Sequence, residues 1–164
     1  MSINEEFIKM NKENKPSILT IDEEFNDNSH QDLMNWCDEI LEQFLKSSYC
    51  SSWKNNKKNI AGYFIHGFID YAYGYHLAKP FQYNEMIVED MCLDILPRKM
   101  STNAKNFKLV GKILITFFEW CEHENILKDT TAIRNTLKLI DNKIYDKAKD
   151  PSNWGLAKSL FSGF

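Results

Sequence analysis

The sequence predicts an all-α fold: a single-domain bundle of about six helices around a central helix rich in aromatics and glycine. Three observations carry this. Apolar residues recur at intervals of three and four over most of the 164-residue chain. Ser, Thr, Asn, Asp and Pro stand between those stretches as start and stop signals. No segment shows a clear period-2 alternation or a hairpin turn. Residues 1–28 are expected to form an N-terminal arm or linker, and residues 29–164 the helical domain.

In chain order, the arm is rich in Asn, Lys and Glu, with Ile3, Phe7 and Met10 as its apolar anchors before Pro16. Ser17-Ile18-Leu19-Thr20-Ile21 reads either as a lone extended segment or as a linker packed on the core. From Ser29 the pattern changes: Leu33, Trp36, Cys37, Ile40, Leu41, Phe44 and Leu45 mark one face of an amphipathic helix that stops at Ser47-Ser48. The next helix, from Ile60 to Ala78, is apolar nearly all round, as expected of a central element, and Pro80 closes it. Its glycines 62, 67 and 74 each cost ~1 kcal/mol relative to Ala, which points to close approach by neighbouring groups.

Asn84 is a cap for a third helix that turns Ile87, Val88, Met91, Cys92 and Ile95 inward and stops at Pro97. Ser101 or Thr102 opens a fourth, striped by Phe107, Val110, Gly111, Leu114, Phe117, Phe118 and Cys121. Thr130 or Thr131 caps a fifth, with Ile133, Leu137, Ile140 and Ile144 inward, running to about Lys149. Asp150-Pro151 is a start signal for a last short helix docking through Trp154, Ala157, Leu160 and Phe161.

Composition narrows the function classes. Lys and Arg number 20 against 23 Asp and Glu, a formal charge of -3, so a charged partner has to read a local patch rather than the whole surface. Four cysteines, none in a C-x-x-C spacing, are too few for a disulfide scaffold and read as reduced and buried. The first twenty residues lack a secretory apolar run, and the best apolar stretch, Val110 to Cys121, is cut by Lys112 and Glu119, well short of the ~20 residues a membrane span needs. A cytoplasmic protein with no membrane partner is expected.

Catalytic motifs are missing. There is no G-x-S-x-G elbow, P-loop, dinucleotide fingerprint, H-E-x-x-H or EF-hand loop. Glu119 and His123 are spaced by four on one helix, whereas a di-iron bundle wants Glu-x-x-His on two. No catalytic residue, metal ligand set or cofactor is assigned. The most suggestive polar group is His66, Asp70 and Tyr73, on the side of the central helix opposite its main apolar stripe. His66 and Asp70 are one turn apart: enclosed by protein they make a pH-sensitive or catalytic pair, and in water they add a few tenths of a kcal/mol to the helix. The aromatics from Tyr63 to Tyr83 line either a pocket for a flat ligand or the core. A second group is basic: Arg98 and Lys99 precede the fourth helix, and Lys105, Lys108 and Lys112 lie opposite its apolar stripe. A phosphate backbone there would meet these cations and free backbone N–H groups at the helix start.

Residues 89–96, Ser101-Thr102, 107–120 and Glu124-Asn125-Ile126 resemble the opening two helices of the SAM-like core-binding domain of tyrosine recombinases, over about a third of the chain. The resemblance implies a helical shape and a DNA-facing surface. It does not imply recombination, because the catalytic domain with its Arg, His-x-x-Arg and Tyr nucleophile is absent from this sequence. Leu96-Pro97-Arg98-Lys99-Met100-Ser101 and the later Asp150-Pro151-Ser152-Asn153-Trp154-Gly155-Leu156-Ala157-Lys158-Ser159 together are similar to an uncharacterised group of bacterial all-helical proteins, from which no activity carries over. Three functional expectations follow. The first is a non-enzymatic helical module that binds a protein partner or forms a homo-oligomer. The second is nucleic-acid contact through Arg98, Lys99, Lys105, Lys108 and Lys112. The third is a small-ligand or enzyme site at His66, Asp70 and Tyr73.

Overall fold

A computed structural model of the protein describes residues 17–161. The expected anchors Ile3, Phe7 and Met10, and the side chain of Phe161, lie outside the described residues. Among the described residues the chain is all-helical, with six helices and no strand.

Helix α1 (Asp27–Lys46) starts two residues ahead of the expected Ser29, because Asn26 takes the cap and accepts from the Ser29 N–H at 3.0 Å. Its buried face is the one the spacing predicts, from Leu33 to Phe44. Helix α2 (Asn55–His76) begins earlier than Ile60, since the polar run Asn55 to Asn59 adds an outer turn at no cost in burial. It ends at Leu77, whose left-handed backbone (φ 51°) returns its N–H to the carbonyls of Ala72 and Tyr73.

Asn84 caps the third rod as expected, accepting from the Ile87 N–H at 2.9 Å. Glu85–Asp90, a π-helical turn Met91–Ile95 and Leu96–Lys99 run on as one helix, α3. Pro97 is therefore not its stop. Proline has no N–H to offer and presses on the carbonyl of the preceding turn; the wide turn before it, where the Leu96 N–H reaches back five residues to Met91, relieves the conflict.

Neither Ser101 nor Thr102 caps the next helix. Asn103 does, accepting from the Lys105 N–H at 3.0 Å, and a 3-10 stretch Ala104–Leu109 leads into α4 (Val110–His123). Helix α5 (Thr131–Lys149) follows. Its free N–H at Thr131 is met by Asp129 at 2.9 Å, which releases the Thr130 hydroxyl to bond Glu122 at 2.8 Å. A 3-10 turn Pro151–Asn153, capped by Asp150, precedes α6 (Leu156–Phe161). Of the docking face expected for this last helix, Trp154 is half-buried, but Ala157 is exposed and Leu160 is 61% exposed, and Lys158 is buried in their place, with Leu156 also facing outward.

The core is dominated by aromatic rings meeting edge-on, with Phe44 against Phe117 at 5.3 Å, Phe64 against Phe107 at 5.0 Å and Phe68 against Tyr83 at 5.2 Å between ring centres. Helix α2 supplies Phe64, Ile65, Phe68, Ile69 and Ala72, yet its Tyr63, Gly74 and Tyr75 are exposed. The most enclosed helix is α4. Of the three α2 glycines, one meets the expected close approach: a Cβ on Gly67 would lie 2.6 Å from Met100 Cε, while Gly62 has ordinary room and Gly74 faces open space. Gly111 lies against the Asp141 side chain, letting α4 and α5 come close.

Two stability outcomes follow. Gly67→Ala displaces the far end of the buried Met100 side chain, a cost that outweighs the ~1 kcal/mol gained by Ala in a helix and lowers stability by up to about 2 kcal/mol in thermal or urea denaturation, whereas Gly74→Ala leaves it unchanged or raises it by up to ~1 kcal/mol. The Tyr83 hydroxyl is buried without a hydrogen-bond partner among the described residues, so Tyr83→Phe raises stability by on the order of 1 kcal/mol in the same assay.

Candidate functional site

The three residues of the expected polar pocket do not form one. His66 is half-buried, and its nearest carboxylate is Asp38 of α1, 4.0 Å away. Asp70 pairs instead with His30 of α1, Nε2 to Oδ1 2.6 Å. Tyr73 is fully buried, and its hydroxyl donates to Asp22 Oδ2 at 2.6 Å while accepting from the Asn26 N–H at 3.2 Å. The reason lies in helix packing. Across the interface α1 brings His30 within 2.6 Å of Asp70, whereas His66 has Asp38 at 4.0 Å, beyond hydrogen-bond reach.

What forms in its place is a clasp. Lys79 has no exposed surface, and its ammonium lies 3.1 Å from Asp22 Oδ2 and donates to Thr20 Oγ1 at 3.1 Å, above the Tyr73 ring. Leu77 turns the chain back at the end of α2, which sends Ala78 and Lys79 inward beneath Tyr73. His30 stacks on the Tyr73 ring at 5.8 Å with Phe25 beside both. Burial alone pushes the Asp22 carboxyl up, but hydrogen bonds from Tyr73, Lys79 and Ser29 and the charge of Lys79 outweigh it and hold the group below its ordinary value. Burial and the bond to Asp22 push the Tyr73 phenol up. The clasp fastens residues 20–26 to α2. Its charges are spent on one another.

Of the five basic residues, Arg98, Lys99 and Lys108 meet different partners. Arg98 and Lys99 end α3, where cations suit the carbonyl end of a helix, instead of introducing the N-terminus of α4. Arg98 grips Asp94 at 3.1 and 3.4 Å and covers the Tyr75 ring, which Lys99 also approaches. Lys108 lies over Tyr145 at 4.5 Å, and Lys105 and Lys112 are exposed. The N–H of Lys105, at the start of that stretch, is already occupied by Asn103.

The two sequence motifs that stand fifty residues apart meet in space. The Gly155 N–H donates to Arg98 O at 3.0 Å and Lys158 Nζ to Pro97 O at 2.6 Å, so the C-terminal strap satisfies carbonyls that the end of α3 leaves open. A Cβ on Gly155 would sit 3.1 Å from Arg98 O, which explains glycine there. Lys158 is enclosed between the rings of Phe107 and Trp154, and burial pushes its ammonium pKa down. The Trp154 indole donates to Ala148 O at 2.8 Å.

All four cysteines are free and buried. Burial pushes Cys37 up to about 12, with Asp38 and Asp70 adding to it, and Cys50 up to about 11; Cys92 and Cys121 are pushed further in the same direction. Such thiols are poor nucleophiles. Among the described residues no group of three His, Cys, Asp or Glu is placed to hold a metal ion, and no helix is long and apolar enough to cross a membrane.

A shallow, open groove of about 710 Å³ runs along α3, with Lys147 of α5 on its far side. Met86, 68% exposed, and the half-buried Leu93 supply its apolar surface. Four carboxylates line it. Asp90 is paired with His76 at 2.7 Å and Asp94 with Arg98, while Glu85 and Glu89 have no partner among the described residues. The i,i+4 spacing of Glu85 with Glu89 and of Asp90 with Asp94 is the signal the sequence carries for this surface. In comparisons with known proteins the chain matches no family model, no curated protein and no solved structure.

The clasp is testable through its acid response. Asp22→Asn leaves the Lys79 ammonium buried without its anion and costs about 3–5 kcal/mol. Because the folded-state pKa of Asp22 lies below the ordinary 3.8, its contribution is fully present above that value and is lost as pH falls through the lowered one. Urea denaturation from pH 6 down to pH 2 shows this loss in the wild type, and the Asp22→Asn variant lacks that component.

Proposed function

We propose that this chain is a non-enzymatic helical module that binds another protein through the groove between α3 and α5. The observation that carries this reading is the contrast between that groove and the other polar clusters among the described residues. The clasp at Asp22 and Lys79, the strap at Lys158 and the Glu122, Thr130 and Arg134 knot are each closed by internal bonds. The groove combines a largely exposed methionine with two carboxylates that have nothing to hold among the described residues. A thioether exposed beside apolar surface suits adaptable recognition of a side chain from outside.

This reading also accounts for the chemistry that is not used. His30 and Asp70 are bound to one another, the thiols are sealed in the core, and Tyr73 is committed to Asp22. None is placed to meet a substrate. A photo-crosslinking residue at Met86 is expected to trap a discrete protein in a cell extract, and the adduct disappears when Leu93→Asp is added while the thermal unfolding midpoint stays within a few degrees. An adduct pattern unaffected by Leu93→Asp, or no adduct at any concentration, overturns the proposal.

A further inference from the structure

Resting on the groove as an interaction site, the geometry points to the class of its occupant: we infer that it takes a basic amphipathic helix of a partner protein, apolar face on Met86 and Leu93 and cationic flank along Glu85 and Glu89. The lined stretch of α3, from Glu85 to Asp94, is about 13 Å long at 1.5 Å per residue. That matches two to three turns of an incoming helix laid along it, the usual footprint of helix-in-groove recognition. Extended peptide recognition by strand addition is excluded at this surface, because both walls are helices and present no open backbone edge.

Charge decides the rest. Asp90 and Asp94 are engaged on the flank by His76 and Arg98. Glu85 sits in the first turn of α3, where the helix dipole favours an anion, so its presence has a local explanation. Glu89 has none: it lies beyond that turn, one turn from a like charge, an arrangement that disfavours the helix by a few tenths of a kcal/mol. A lysine or arginine arriving between the two relieves both. Lys147, on the opposite wall, repels a second row of cations. It confines the basic flank to the α3 side, so the bound helix has a defined rotation about its own axis.

The test uses the full chain with ¹³C-labelled methionine methyls and three synthetic helical peptides: one with a leucine face and a lysine flank, one with the same leucine face and a glutamate flank, and one with the lysine flank and serine in place of leucine. The first is expected to shift the Met86 signal in a saturable way. Glu85→Lys with Glu89→Lys weakens it at least tenfold, and Lys147→Glu tightens it about threefold, in line with exposed ion pairs. Equal binding by the glutamate peptide overturns the basic partner while leaving the groove reading intact. Equal binding by the serine peptide overturns the apolar requirement. Silence of Met86 towards all three overturns this assignment of the occupant; the groove reading falls with it only if crosslinking at Met86 is also negative.

Discussion

Enclosure of α4 is the constraint on which the rest of the molecule depends. Eight of its fourteen residues are buried, and its rings meet those of three other segments: Phe117 and Trp120 meet Phe44 of α1, and Phe118 meets Phe68 of α2 and Tyr83 of the following loop. A helix covered on that much of its circumference has to be surrounded, so α1, α2 and α5 are arranged by what they lay against it. Gly111 is where this becomes tightest, since any side chain there would collide with Asp141 of α5. Ring-on-ring packing adds about 0.5–1.5 kcal/mol per pair beyond burial, enough over several pairs to single out one arrangement of the helices.

Packing of this kind leaves little room for polar groups in the centre, the Tyr83 hydroxyl being one that is buried there, and the chain places charged fasteners where distant segments meet. Among the described residues Lys79 and Lys158 are the two lysines that the fold buries, and each joins segments distant in sequence: Lys79 reaches Thr20 across 59 residues and Lys158 reaches Pro97 across 61. Each is backed by an aromatic ring, Tyr73 for the first and Phe107 with Trp154 for the second. A buried ammonium is costly unless paired, so such groups contribute more to the choice of one arrangement than to net stability. The Lys79 fastener also engages Asp22 and lies over the Tyr73 ring, and separate pairs join His30 to Asp70 and His76 to Asp90.

How much of this was legible in the sequence varies with the range of the interaction. The apolar faces of α1, α3 and α5 match the inward residues read from spacing alone, because a period of 3.6 places those side chains together whatever lies opposite. Asn84 was readable as a cap for the same reason: its bond closes within three residues. The polar pocket was not. His66 and Asp70 stand one turn apart and suggest a pair, but Asp38 and His30 on α1 claim them from the side. Pro97 misled in a related way, since its cost was removed by a wide turn that no local pattern announces.

The sequence by itself determined an all-helical chain, the order of its helices, which face of most of them turns inward, and the burial of its four cysteines. These follow from interactions between residues a few positions apart and from the transfer of apolar surface out of water, neither of which needs a known partner. Only the tertiary structure decided which helix is most enclosed, which carboxylate meets which histidine or lysine, that the motifs at Pro97 and Gly155 close on each other, and that Leu156 and Leu160 face outward. Those outcomes depend on contacts between elements distant in sequence, from the 14 positions between His76 and Asp90 to the 61 between Lys158 and Pro97. Any one of several helix faces can satisfy an isolated charge, and the choice among them is made when the helices pack.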